Sequence, residues 1–304
     1  MRTSNPELNQ KRMMTKVAHL YHSRGMVQTE IARVLGLSQA RISRLLAAAA
    51  EANIIKTVVV PPQGLFAELE TELEVAFGLQ EVHVVDPISN SVEDLSQSLG
   101  QTLASVFQIS PIDGKIVGIS LSNAIMEAFV GCLDHFPHAK AKAIVQLQGA
   151  LGTAAYKHDF DVATTRLAAL TSSTAVFLRS PAIAPSQSAR DVFAEFDLGT
   201  SSALNSFENL DSVILEIARG KDLGGCALVN QRLLSEGGTA LKSDRDDLLL
   251  AASLTQLQNA SRRVGIGGGE MCHQAILATL RSGLMNVLVT DYSTAEFLLE
   301  NVPN

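Results

Sequence analysis

Hydrophobic positions change their spacing along this chain, and the change divides it. Near the N-terminus apolar residues recur every three or four positions, the period of a helix with one buried face. Val17, Ala18, Leu20 and Tyr21 share such a face on a helix expected from about Asn9 to Ser23, which Gly25 ends. Gln28 to Leu35 reads as a second, shorter helix that turns Ile31, Ala32 and Leu35 inward. Gly36 follows where a left-handed residue stops a helix and redirects the chain. Ser38 is an N-cap for a third helix that buries Ile42, Leu45 and Leu46. Two short helices crossing steeply need a small residue where they touch, a tight turn, and apolar anchors on the second helix. Ala32, Gly36, Ile42 and Leu45 supply these in the register of a helix-turn-helix. The outward face of the third helix is then Gln39, Ala40, Arg41, Ser43 and Arg44, residue types that meet base edges and phosphates in a major groove. Gln28, Thr29 and Ser38 flank that face and complete the candidate DNA contacts. The competing explanation is an ordinary helical hairpin with a polar outer face.

The period then shortens. Ile54 to Val60 is a β-branched run, read as a strand closed by Pro61, Pro62 and Gly64, and it divides the chain into residues 1–60 and 61–304. Leu65, Leu69, Leu73 and Ala76, with Phe66 and Phe77, form a stripe on a helix ending at Gly78. That stripe can pack on the body or on a second subunit, and the sequence favours neither. From Glu81 onward, short apolar runs alternate with helical stretches, which predicts an α/β fold with a mostly parallel, Rossmann-like sheet and crossover helices. The expected strands are Val82–Val85, Ile116–Ile119, Ile144–Leu147, Ala175–Leu178, Val213–Ile217, Arg263–Ile266 and Val287–Thr290. The expected helices are Val92–Phe107, Ser122–Leu133, Val162–Leu170, Glu270–Arg281 and Ser293–Leu299.

Charge sharpens this division. Residues 1–56 carry nine Lys or Arg against three acids, a balance of +6; the other residues carry fifteen against twenty-eight, a balance of −13. A basic head on an acidic body points to a nucleic-acid partner for the head alone. Hydrophobic residues make up 46% of the 304, yet no apolar run approaches the roughly eighteen residues that span a bilayer. The polar opening MRTSNPELNQKRMM is not a secretory signal. Cys132, Cys226 and Cys272 are three, widely spaced and without CxxC pairing, as reduced cytoplasmic thiols would be. No metal or cofactor is expected.

In parallel sheets, ligands sit beyond the carboxyl ends of strands, where helix N-termini offer free amides. Two strand-to-helix turns suit an anion: Gly118-Ile-Ser-Leu-Ser-Asn123 and Gly265-Ile-Gly-Gly-Gly-Glu270. Glycine-rich strand ends also occur as plain turns, so each supports either reading. His273 and Glu270 near the second turn, and Asp291 at a strand end, are the only candidates for acid–base work, and each also reads as a cap, surface or core residue. No nucleophile elbow and no metal-ligand spacing accompanies them, so no catalytic residue is assigned.

The segments TEIARVLGLSQARISRLL (29–46), IVQLQGALG (144–152), RSPAIA (179–184) and VGIGGGEMCHQAI…NVLVTD (264–291), in this order over nearly the whole chain, resemble the SorC family of sugar-responsive regulators. The resemblance implies a helix-turn-helix followed by a Rossmann-like sugar-binding domain related to sugar-phosphate isomerases and deaminases. It implies a homodimer or homotetramer on a palindromic double-stranded operator, and a small sugar, polyol or sugar phosphate as effector. Carried over by motif, Ser120, Ser122 and Asn123 fall on the first phosphate loop, and Gly268, Gly269 and Glu270 on the second. Gln148 and Gly149 would face the ligand, with Arg166 on the helix that follows. The chain departs from the family at several of these places. The first loop, commonly GVSWGxT, has Ser122 and Ala124 for its second Gly and its Thr. Cys272 replaces the lysine that commonly binds phosphate, and Gln148 replaces a lysine found in one branch. The GD-I-x-G-x-FFD segment has become Ala227-Leu-Val-Asn-Gln-Arg-Leu-Leu-Ser235, with Leu228 where an acid is usual. The resulting expectation is a DNA-binding regulator that senses a sugar, a polyol or its phosphate. The alternatives are a regulator with a degenerate pocket that acts through assembly alone, and an enzyme of the isomerase or deaminase class.

Overall fold

A computed structural model gives the structure of the chain and describes residues 6–52, 54–55, 65–89, 91–121, 123–133, 140–150 and 154–302. Most of the strand expected at Ile54–Val60, the Pro61–Gly64 segment and Ser122 lie outside the described residues. The chain separates into two compact units, 1–61 and 62–304.

The first unit is helical, with α1 (Pro6–Ala18), a π-helical turn (His19–Ser23), α2 (Gln28–Leu35) and α3 (Gln39–Glu51). Val17, Ile31, Ala32 and Ile42 form its core, ringed by Leu20, Met26, Leu35, Leu37, Leu45 and Leu46. Ile31 and Ile42 are fully buried, each contributing roughly 1.5–3 kcal/mol by leaving water. Gly36 ends α2 at φ 66°, ψ 32°, the left-handed conformation that its position requires. Tyr21 is a correction: it is 38% exposed rather than part of the inward face. The π turn widens the helix there, with the Arg24 amide reaching back to His19 O, and rotates Tyr21 off the buried stripe.

The second unit is a three-layer α/β domain. Its strands are β1 (Glu81–Val85), β2 (Ile116–Ser120), β3 (Ala143–Gln146), β4 (Thr174–Val176), β5 (Ser212–Arg219), β6 (Ala227–Val229), β7 (Arg232–Leu234), β8 (Ala240–Leu241), β9 (Arg262–Ile266) and β10 (Val287–Asp291). The order β1-β10-β9-β5-β2-β3-β4 is parallel throughout, and β6, β7 and β8 extend β5 as an antiparallel meander. Strands buried on both faces read as continuous apolar runs, as β2 and β10 do. On one face lie α5 (Val92–Gln108), α6 (Asn123–Gly131) and α7 (Ala154–Leu170). On the other lie α4 (Ala67–Phe77), α9 (Leu198–Ser206), α10 (Leu254–Asn259), α11 (His273–Arg281) and α12 (Tyr292–Glu300). The fold class matches the expectation.

The stripe whose partner the sequence left open packs on the body. Leu73 is fully buried in the core, with Phe66, Leu69 and Phe77 against the same cluster. From the same helix Glu70 accepts from the Val84 amide over 2.9 Å and Glu74 from the Val82 amide over 3.0 Å. Two carboxylates one helical turn apart thus cap the open edge of β1, which would otherwise present unpaired amides to another chain. Four elements were not anticipated: α8 (Gln187–Phe196), α9, the β6–β8 meander and α10. In addition, α7 starts eight residues before the expected Val162.

Candidate functional site

In the head, every residue expected on the outward face of α3 is exposed: Gln39, Ala40, Arg41, Ser43 and Arg44. Ser38 Oγ accepts from the Arg41 amide over 3.3 Å and fixes where the helix begins. Arg44 Nε rests on Ala40 O over 3.3 Å, so its side chain lies along the exposed ridge. Thr29 is exposed and Gln28 half-buried at the start of α2, where the Val27 amide donates to the Glu30 carboxylate over 3.3 Å. The result is a helix with two exposed arginines on its outer face, Arg44 lying along the ridge, set by a turn and two capping bonds.

In the body, a cavity of about 460 Å³ opens at the carboxyl ends of β10, β9 and β5. Neighbouring strands β2 and β5 continue in opposite directions across the sheet, so this is beside the topological switch point where such folds bind ligands. Gly268, Gly269, Glu270 and Cys272, all expected ligand residues, line it. Leu95, Leu99 and Ile125 form an apolar wall, and Glu216 and Asp291 add carboxylates to that of Glu270. No Lys, Arg or His is among the described lining residues.

The glycine turn is built by packing as much as by ligand access. A Cβ on Gly268 would lie 2.4 Å from Asp291 Oδ1, and Gly269 sits at φ 80°. Asp291 Oδ1 accepts from the Gly269 amide over 2.8 Å, so one amide of the expected anion cradle is already satisfied by the protein. Burial alone would raise the Asp291 pKa, but hydrogen bonds from Ser293, Thr294 and Gly269 outweigh it and hold the carboxyl below its usual range. The Cys272 thiol is pushed up by burial first and by Glu216 next, so it stays neutral where the family commonly has a cation.

Ser120, Gln148, Gly149 and Arg166 are not among the described residues that line this cavity. Ser120 is buried at the end of β2, and Asn123 is the first residue of α6. Gln148 is 7% exposed and accepts from Gln231 Nε2 over 3.1 Å, so its partner is the β6–β7 turn. A Cβ on Gly149 would meet Ser180 O at 2.5 Å, a packing reason for that glycine. Arg166 is exposed on α7, which returns from the carboxyl end of β3 toward the opposite edge of the sheet. At 1.5 Å per residue it lies roughly 18 Å along the axis from Ala154, away from the ligand end. Sequence reasoning missed Glu216, Leu95 and Leu99. Glu216 is the one polar position in the run Val213–Ile217 whose side chain turns to the cavity, and a lone acid inside an apolar strand was the available signal.

The family model described as "Putative sugar-binding domain" matches residues 62–237 and 216–300, nearly the whole body. The chain belongs to that family, the SorC-type sugar-binding regulators. It is 23% identical over 310 residues to the sorbitol operon regulator of Klebsiella pneumoniae, covering 95% of this chain and 98% of that protein. It is 26% identical over 318 residues to the transcriptional regulator LsrR of Klebsiella pneumoniae, covering 96% and 94%. The crystal structure of full-length SorC from Klebsiella pneumoniae superimposes with a TM-score of 0.71 over 96% of this chain and 99% of that one, at 23% identity. That likeness shows the fold. As a member of the family, the chain is a DNA-binding transcriptional regulator with a sugar-sensing body. Among the described residues no helix is long and apolar enough to cross a membrane.

Proposed function

We propose that residues 1–60 bind a palindromic double-stranded operator through α2 and α3. In this reading residues 61–304 carry the effector site and the contacts of a homodimer or homotetramer. Arg41 and Arg44 meet DNA, with Gln39, Ala40 and Ser43 beside them and Gln28, Thr29 and Ser38 at the backbone. One recognition helix reads only a few base pairs, so a two-fold pair on half-sites about one helical turn apart is required for tight binding. The protein works in the cytoplasm and carries out no catalysis.

The effector is a small neutral sugar or polyol, bound at the glycine turn by Gly268, Gly269, Glu270 and Cys272. The observation that carries this reading is the lining: three carboxylates, a neutral thiol and an apolar wall, with no cation among the described residues. Such a surface suits hydroxyl groups and disfavours a phosphate dianion. A thermal-shift screen of sugars, polyols and their phosphates tests it, since a ligand of the native state raises its stability. A second reading has support from Gln231, whose side chain already occupies Gln148; in it the body binds no effector and acts by assembly. A flat thermal-shift screen, with DNA affinity that tracks oligomer concentration, selects the second reading.

A further inference from the structure

The cavity and the start of α4 are joined by two consecutive residues. Asp291 ends β10 and lines the cavity. Its Oδ1 accepts from the Gly269 amide over 2.8 Å and from Thr294 Oγ1 over 2.5 Å, and its Oδ2 accepts from Ser293 Oγ over 2.6 Å. One carboxylate therefore ties the glycine turn to the first turn of α12. The next residue, Tyr292, opens α12, and its ring lies 5.1 Å from that of Phe66, tilted by 48°. Phe66 immediately precedes α4, the first element of the body after the connection to the head. Helix α4 is in turn fixed by the buried Leu73 and by the Glu70 and Glu74 bonds to β1.

We propose that Asp291 and the Tyr292–Phe66 contact couple the cavity to the root of the head–body connection, so that an occupant displacing the glycine turn is felt at Phe66. This rests on the reading of the cavity as effector site and of the head as DNA site. The mechanical argument is that α12 has no room to bend. Ala295 and Leu298 are fully buried, so a shift of the first turn, which Asp291 holds through Ser293 and Thr294, moves the helix as a rod, and a close-packed interior passes the shift on. Asp291 and Phe66 are positioning residues in this scheme, one at each end of a single rigid step.

The test needs no effector. Gly268→Ala places a methyl where the Asp291 carboxylate sits and so displaces it from within. The full-length chain, Gly268→Ala, Phe66→Ala and the double variant are titrated with a duplex selected by the wild-type chain from a random pool. Hydrogen exchange is followed in peptides spanning residues 65–79. Gly268→Ala should change duplex Kd by at least about fivefold, the lower end of allosteric coupling, and alter exchange at the start of α4. In the Phe66→Ala background the same substitution should change Kd less than about twofold, since only coupled sites are non-additive. An equal effect in both backgrounds, or unchanged exchange in α4, overturns the coupling. Failure to select any duplex would count against the DNA reading alone, and exchange would still decide the coupling. If Gly268→Ala does not fold, Asp291→Asn takes its place in the cycle, keeping the shape while replacing an acceptor by a donor.

Discussion

Gln231 donates from Nε2 to Gln148 Oε1 over 3.1 Å, and does so from a backbone at φ 66°. The preceding Asn230 is at φ 47°, so the two-residue link between β6 and β7 has both centres in the left-handed region, as a type I′ hairpin turn requires. Asn adopts this readily, whereas Gln does so only with strain. The family pattern has Gly in place of Gln231, which would have no strain and no side chain to offer. Asn230 binds Leu147 O and Ala252 O through Nδ2, over 3.3 and 2.9 Å, while its Oδ1 is buried without a partner.

Gln231→Gly should therefore leave stability within about 1 kcal/mol of wild type. It relieves left-handed strain of roughly 1–2 kcal/mol and forfeits a neutral hydrogen bond of similar size, about 0.5–1.5 kcal/mol. Gln231→Ala keeps the strain and loses the bond, so it should be the less stable of the two. Urea denaturation of both variants checks the order, and a more stable alanine variant would show that the turn is not strained.

What the sequence revealed follows from where its signals are local. All seven parallel strands were legible as short apolar runs: β2, β3 and β10 because they are buried on both faces, the edge strands β1 and β4 because their few residues are mostly apolar although only partly buried. The head was legible because Ala32, Gly36 and Ile42 form one short steric unit. Helix α8 was invisible because it has no buried residue: Val192 and Phe196 are exposed and break the polar face instead of marking an inner one. The β6–β8 meander is made of two- and three-residue strands, too short for a period to register. At the site, the glycine turn was legible but its occupant was not. Asp291 fills one amide across 22 residues of sequence separation, a contact that only the parallel pairing of β9 with β10 brings about.

At the head, Arg41→Ala and Arg44→Ala should both weaken operator binding, in different ways. Arg41 lies in the first turn of α3, and in the proposed reading it contacts a base edge, so its loss should cost about 1–3 kcal/mol on operator and relax the choice of sequence. Arg44 lies one turn further on and is assigned to phosphate, so its loss should weaken all duplexes alike and lower the salt slope by about one. Gel shifts on operator and random duplexes across a salt series separate the two. Binding unchanged in both variants would remove α3 as the reading helix.

Acid should destabilise the body in two stages. The His273 ring stacks on Phe297 at a centroid distance of 4.6 Å, and its Nε2 is buried without a partner. Burial lowers its pKa below the ordinary histidine value, against an opposing pull from Asp291 and Glu270. Because the folded ring holds a proton less well than the unfolded one, its contribution is complete above pH ~6.5 and is lost as pH falls through the lower folded value. The Glu81 carboxyl is held down by its hydrogen bonds from Arg262, at 2.6 and 2.7 Å, and Asp291 by those described above. Their contribution is present above the ordinary carboxylate range and is lost below it as the folded values are reached. Tm measured from pH 8 down to about 2 should bend first below pH ~6.5 and again below the ordinary carboxylate range, and His273→Phe should abolish the first bend while leaving the later one. An identical pH profile in the variant would assign the first stage to another group.

If the cavity is the effector site proposed above, Cys272 governs how it treats a phosphate ester. Its thiol is neutral, and the carboxylates of Glu216, Glu270 and Asp291 share the same wall, so a phosphate gains little there and meets like charge. A charge-assisted hydrogen bond contributes roughly 1.5–3 kcal/mol, and without one the usual advantage of an ester over its parent polyol should vanish or reverse. A hexitol and its terminal monophosphate ester are a suitable probe pair, differing in that group alone. The wild-type chain should bind the polyol at least as tightly as the ester. Cys272→Lys should then raise the ester's relative affinity by about tenfold or somewhat more, at the low end of that energy range because Glu216 competes for the new ammonium. Calorimetry on both ligands with both proteins gives the four Kd values needed. A strong wild-type preference for the ester would mean that another cation supplies the charge. Arg166 lies exposed toward the far end of α7, whereas Arg219 already acts on Cys272 electrostatically and pairs with the exposed Asp222 over 3.1 Å. Arg219→Ala would then abolish that preference, and its failure to do so would leave the backbone amides of the glycine turn as the phosphate site after all.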